Sequence, residues 1–183
     1  MERHVYTSTL ADVPFADAQA VMRDAPERLF RKPADDTAKL SQTREMEVHA
    51  GPLALHDRFS IEFGDFEAHP DGHFSRLRLT CRGDRHHMLL PDIDAVLDAS
   101  DAGDDRTELE IAGHYMPRLG ALGALEDALV GHRAVEEAMT QLVADLRLAL
   151  EAIHERTATA ATQSDVSEPT GAVVDDQRLR AAS

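Results

Sequence analysis

The stretch Thr107–Asp127, TELEIAGHYMPRLGALGALED, decides the reading of this chain. Leu109, Ile111 and Tyr115 fall on one face of an extended segment, and Glu108, Glu110 and His114 fall on the other. That is the two-residue period of a half-buried strand. Pro117 has no N–H to give to a sheet ladder, and Gly120 and Gly123 relax the backbone where the chain must turn. Beyond the turn, Leu125, Leu129, His132, Val135, Met139, Leu142, Leu146, Ala149 and Ile153 recur at spacings of three and four. The spacing predicts one helix over Leu122–Glu155 with a single apolar stripe. So long a stripe on so solitary a helix needs a sheet to cover it.

Working outward, the strands of that sheet are found upstream. Leu77, Leu79 and Cys81 alternate with Arg76, Arg78, Thr80 and Arg82, and a further strand follows over Asp92–Ala99. With the strand of Thr107 onward these form a predicted antiparallel meander. The arginine face then lies beside Asp94 and Asp98, and those beside Glu108 and Glu110. Phe59, Ile61 and Phe63 share a face of another strand, interrupted at Gly64–Asp65, where a bulge is expected. Pro70–Asp71–Gly72 marks a turn, and Met46 and Val48 share a face of the strand that ends at Gly51–Pro52. At the N-terminus a strand over Val5–Leu10 leads to a helix running to about Arg23, with Asp12 as its expected N-cap and Phe15, Ala18, Val21 and Met22 inward. A short helix is expected near Glu27–Arg31. Helices gathered on one side of an antiparallel sheet make an α+β domain. It is assigned to residues 1–156. Residues 157–183, small, polar and aperiodic, are expected to be a disordered tail.

The 183 residues suit one domain with a real core, and 43% of them are hydrophobic. A formal net charge of -15 repels phosphate backbones and anionic bilayers, so neither nucleic acid nor membrane insertion is expected. The lone cysteine, Cys81, allows no internal disulfide. No segment reads as a signal peptide or a membrane span, so a cytoplasmic protein is expected.

The order of elements, with LLPDIDAVLDAS (residues 89–100), the opening stretch and GHRAVEEAMTQLVADLRLALE (residues 131–151), resembles the START-like, or SRPBCC, superfamily. It is most similar to the superfamily's bacterial polyketide cyclase/dehydrase and lipid-transport-like branch. The resemblance spans about Val5–Glu155, and its most specific part is Gly113–Pro117 with Gly120, Gly123 and Asp127. It implies a helix-grip fold, in which a curved antiparallel sheet wraps the C-terminal helix around an apolar cavity. It implies no catalytic residue, because the branches of the superfamily share no catalytic motif.

Several residues invite sharper readings. His69, His73, His86 and His87 invite a metal site, yet the first two flank a turn and no further ligand completes a set. The acidic run from Asp98 to Asp105 invites calcium. However, Ala102 and Leu109 stand where an EF-hand needs oxygen ligands, so a hairpin loop is the better reading. His132, on the helix stripe, is either an acid/base facing the cavity or a partner of Asp127 or Glu136. Tyr115 needs a hydrogen-bond partner, either a ligand or a backbone carbonyl. Asp127 complements the helix dipole or serves as a buried acid. Cys81 reads as a small core residue.

The resulting expectation is a carrier or sensor for a small hydrophobic, lipid- or polyketide-like molecule, without cofactor or metal. Its cavity walls would be Phe59, Ile61, Phe63, Leu77, Leu79, Leu109, Ile111 and Tyr115 from the sheet, and Leu125, Leu129, His132, Val135 and Met139 from the helix. Two alternatives share the fold. One is a polyketide cyclase or dehydratase using His132, Tyr115 or Asp127 as acid/base. The other is an interaction module with a collapsed cavity. No protein partner is read from the sequence.

Overall fold

Six strands carry the alternation that the sequence displays, and one helix crosses them. The computed structural model describes residues 2–30, 43–50, 53–83, 91–116 and 126–165; for 43–50, 53–59, 83, 126–131, 164 and 165 it describes the backbone alone. In chain order the elements are β1 (Arg3–Ala11), α1 (Phe15–Asp24), a 3-10 turn (Pro26–Phe30), β2 (Thr43–Ala50), β3 (Leu53–Ala68), β4 (Phe74–Gly83), β5 (Ile93–Gly103), β6 (Arg106–Tyr115) and α2 (Glu126–Asp165). The strands form one antiparallel sheet in the order β1-β6-β5-β4-β3-β2. This is the α+β helix-grip architecture.

The expected meander is β4-β5-β6, and its register sets the charges in rows. Arg76 lies opposite Asp98, which lies opposite Glu110. The Arg76 guanidinium donates two hydrogen bonds of 2.7 Å to the Asp98 carboxylate. Phe63 and Phe66 bracket the expected bulge in β3, where Gly64 lets β4 approach; a Cβ there would lie 3.0 Å from Arg78 Cβ. The expected loop after Ser100 is shorter than the sequence suggested. β5 runs to Gly103, and a two-residue turn with Asp104 and Asp105 at φ 53° and 55° closes the hairpin. Positive φ at both central residues matches the twist of the flanking strands, and Asp tolerates it better than most residues.

Three boundaries differ from the sequence reading. α1 is capped at Pro14, whose carbonyl accepts from the Asp17 and Ala18 N–H groups, and not at Asp12. Strand β1 extends to Ala11, so Asp12 lies in the connection, where its own N–H donates to Glu151 of α2. The Thr107 hydroxyl donates to the Val13 carbonyl at 2.7 Å and ties that connection to β6. Residues 26–30 form a 3-10 turn where a short helix to Arg31 was expected. The third difference is at the far end. The helix expected to stop at Glu155 continues to Asp165, so 157–165 belong to α2 and not to a disordered tail, while 166–183 lie outside the described residues. Alanine is the best helix former. The Thr157, Thr159 and Thr162 hydroxyls donate to carbonyls one turn back and so fit within the helix.

The core lies between the inner sheet face and α2. Leu77, Leu79, Leu97, Leu109 and Ile111 meet Val135, Met139, Leu142 and Leu146 in one cluster. α2 comes closest in backbone terms to the edge strands β1 and β2, as a sheet curled around a helix requires, while α1 covers β5. No helix among the described residues is long and apolar enough to cross a membrane.

Candidate functional site

At the C-terminal end of β6, the last inward residue of the alternation is Tyr115. Its backbone lies between Arg3 of β1 and Ile93 of β5, and its side chain is almost wholly buried, at 3% exposure. The phenol needs a partner there, because a buried unpaired hydroxyl costs about 1–3 kcal/mol. The partner is neither of those the sequence suggested. His132, one turn and a half into α2, places Nδ1 2.7 Å from the Tyr115 hydroxyl, and the two rings lie nearly parallel with centroids 6.3 Å apart. On its other side, His132 Nε2 stands 3.3 Å from Glu136 Oε1, one helical turn on. Tyr115, His132 and Glu136 thus form a chain that runs from the buried interior to the surface. The His132 side chain is 28% exposed and that of Glu136 is 55% exposed.

Burial pushes the Tyr115 hydroxyl above its ordinary value; Arg3 draws it down and Glu136 raises it further. The phenol therefore keeps its proton at neutral pH. The Glu136 carboxylate only accepts, so its contact with Nε2 is attractive when Nε2 carries a hydrogen. The direction of the Tyr115–His132 bond follows the imidazole tautomer: with the proton on Nε2, Nδ1 is a bare acceptor to which Tyr115 donates.

The other expected wall residues divide into two groups. Ile61, Leu77, Leu79, Leu109, Ile111, Val135 and Met139 are brought together as expected, but with exposures of 0–2%. They belong to one buried apolar cluster. Phe63 is half-buried, its ring centroid 5.1 Å from that of Phe30. Phe59 is in β3 and Leu129 in α2, both with backbone alone described, and Leu125 lies outside the described residues. Asp127 likewise is described only as backbone in the first turn of α2.

The remaining candidates take structural roles. His69 Nδ1 lies 2.9 Å from Asp71, and His73 Nδ1 lies 3.4 Å from Asp101; all four side chains are exposed. His86 and His87 lie outside the described residues. Among the described residues no three His, Cys, Asp or Glu side chains converge as a metal site. In the acidic run, Asp98 is taken by Arg76, and Asp101 accepts from the Gly103 N–H. Burial, and secondarily Asp94, push the Cys81 thiol up to about 12, which leaves it inert.

Two hollows lined by described residues open on the surface. One, of about 760 Å³, lies on the outer sheet face by Tyr6, Arg78, Thr80 and Ala112. Three of its polar side chains are already paired: Tyr6 with Glu110, Arg78 with Glu67, Thr80 with Asp94. The other, of about 230 Å³, lies between α1 and α2 beside His154, whose Nδ1 is 2.7 Å from Asp17. The sequence reading missed that pair, since 137 positions separate its members. It did offer Glu136 as a partner of His132, and the structure places the two 3.3 Å apart.

No protein-family model matches the chain, and no curated protein matches it. Solved structures do. The Zhui aromatase/cyclase from a Streptomyces species matches at 14% identity with a TM-score of 0.51, over 88% of this chain and 98% of that one. A Thermus thermophilus protein matches at 15% identity and a TM-score of 0.49, over 82% and 99%. Norcoclaurine synthase from Thalictrum flavum matches at 10% identity and a TM-score of 0.46, over 84% and 88%. At such identities the likeness concerns architecture. With its six-stranded antiparallel sheet packed against α2, the chain has the helix-grip fold, the architecture it shares with the Zhui aromatase/cyclase.

Proposed function

We propose that this chain binds a small, largely apolar molecule at the end of the grip marked by the C-terminal end of β6, with the Tyr115 hydroxyl as its polar contact. The observation that carries the reading is the Tyr115–His132 hydrogen bond of 2.7 Å, made at the boundary between a closed apolar interior and the surface. The interior limits the ligand. Ile111, Leu142 and Leu146 are wholly buried along the axis of the grip, so a lipid-length chain would have to displace them. A ligand of one or two rings at the end of the grip displaces little. Pockets of this kind are apolar with few, well-placed polar groups.

Native mass spectrometry of gently purified protein tests the reading. A discrete added mass that is lost on denaturation, and lost in Tyr115→Phe, supports it. A bare mass, with no saturable binding of small aromatic probes, overturns it and favours the interaction module, which a packed interior also suits.

A second reading, a cyclase or dehydratase, is favoured by one observation: His132 stands between a phenol and a carboxylate, the arrangement that orients an imidazole for proton transfer. Turnover of a polyketide-like substrate that falls at least about tenfold in His132→Gln would establish it. Turnover unchanged in that variant would remove it.

A further inference from the structure

We infer that the hollow between α1 and α2 is a second binding site, and that it takes a small carboxylate carrying a single apolar ring. It shares no residue with the Tyr115 end of the grip and stands independently of the binding proposed there. The hollow measures about 230 Å³. Ala20, Val21 and Ala25 line it from α1 and its C-cap, and Leu150 and Ile153 line it from α2. Both alanines stop at Cβ, which leaves space open between the two helices. An apolar void of about 150 Å³ holds a benzene ring, so one substituted ring fits here and a long chain does not.

The polar rim decides the charge of the ligand. Of the five polar side chains around the hollow, Asp17, Asp24, Arg28, His154 and Thr157, four are already committed. His154 Nδ1 lies 2.7 Å from the Asp17 carboxylate. Asp24 accepts hydrogen bonds of 2.8 and 2.9 Å from the Arg23 guanidinium. The Thr157 hydroxyl donates to the Ile153 carbonyl. Arg28, in the 3-10 turn, is the fifth, and its exposed guanidinium is in no hydrogen bond or ion pair among the described residues. A guanidinium has donors and no acceptor, and its planar fork fits a carboxylate through two parallel hydrogen bonds. An amine would have to draw Asp17 or Asp24 away from a partner it already holds, whereas a carboxylate on Arg28 displaces nothing. The formal net charge of -15 opposes an anion at long range. Salt at 0.1 M screens exposed charges beyond about 10 Å, so the contacts at the rim decide.

The test follows the His154 ring resonances by NMR, assigned by their loss in His154→Gln, during titration with p-toluate, p-toluamide and p-methylbenzylamine at neutral pH. Toluate is expected to shift them saturably and to bind about fivefold or more tightly than the amide or the amine. In Arg28→Gln the three are expected to converge while the melting temperature holds. Ala20→Leu keeps a good helix former and fills the hollow, so it is expected to abolish the shift. Tyr115→Phe is expected to leave toluate binding intact. No saturable shift, or a shift that survives Ala20→Leu, overturns the site. The amide or the amine binding as tightly as toluate overturns the assignment of an anion, and that comparison decides even where Ala20→Leu fails to fold.

Discussion

At the Cys81 thiol, burial on the inner face of β4 raises the folded pKa from 9.0 to about 12. Between those values the unfolded chain has lost the proton and the folded chain keeps it, so stability falls as pH climbs through the window. The expected result is a urea midpoint that drops more steeply above pH 9.0 in the native chain than in Cys81→Ala. Tyr115 titrates in the same direction in both, so the difference isolates the thiol. Gly113 poses a different constraint. A Cβ there would lie 3.0 Å from Ala95 Cβ, 3.1 Å from the Asp94 carbonyl oxygen and 3.2 Å from Ile93 Cγ2. The carbonyl belongs to the neighbouring strand and cannot move without breaking the ladder. Gly113→Ala is therefore expected to cost about 1–3 kcal/mol in chemical denaturation. Tyr115→Phe removes one hydrogen bond whose other partner reaches water, and about 1 kcal/mol is expected by the same measurement.

Among the elements, α2 divides its residues sharply. Leu142 has no exposed surface, and Leu148, six positions on, is 51% exposed. Leu142→Ala is expected to cost about 2–5 kcal/mol, and Leu148→Ala within about 0.5 kcal/mol, in paired urea titrations. Equal effects would mean that the helix presents another face to the sheet. In the sheet, Arg76 and Asp98 join β4 to β5 through two hydrogen bonds, with Asp98 nearly buried and Arg76 42% exposed. Water around the guanidinium weakens the pairing, so a double-mutant cycle of Arg76→Ala and Asp98→Ala is expected to return about 0.5–1 kcal/mol. The pair fixes the register of the meander more than it holds the sheet.

For the whole molecule, the consequence is one of ligand size. The fold forms a grip, but its described interior is filled by side chains from both the sheet and α2. Long-chain fatty acids are expected to give no saturable shift in melting temperature, whereas small aromatic molecules are expected to raise it with concentration, as any ligand selective for the folded state must. A stable shift with a long-chain ligand would show that the core opens.

The sequence by itself determined the faces. Alternation in β4, β5 and β6 assigned Leu77, Leu79, Leu109, Ile111 and Tyr115 to the interior, because side chains in a strand have no other choice than two sides. The three-and-four spacing of α2 assigned Val135, Met139 and Leu142 to the same interior for the corresponding helical reason. The charge rows of the meander and the bulge near Gly64 were equally local. Tertiary structure alone decided what those faces meet. The same apolar residues line a cavity or fill one, and only the distance between sheet and helix separates the two; here Ile111 and Val135 are wholly buried. The end of α2 was misread because small residues without an apolar stripe look like a tail, while backbone hydrogen bonds and alanine propensity sustain a helix without burial. The partner of Tyr115 was invisible for a third reason. His132 is 17 positions away across a turn, and nothing in the spacing of a strand and a helix states how the two approach. That angle is set by the curl of the sheet around α2, which is a property of the whole molecule.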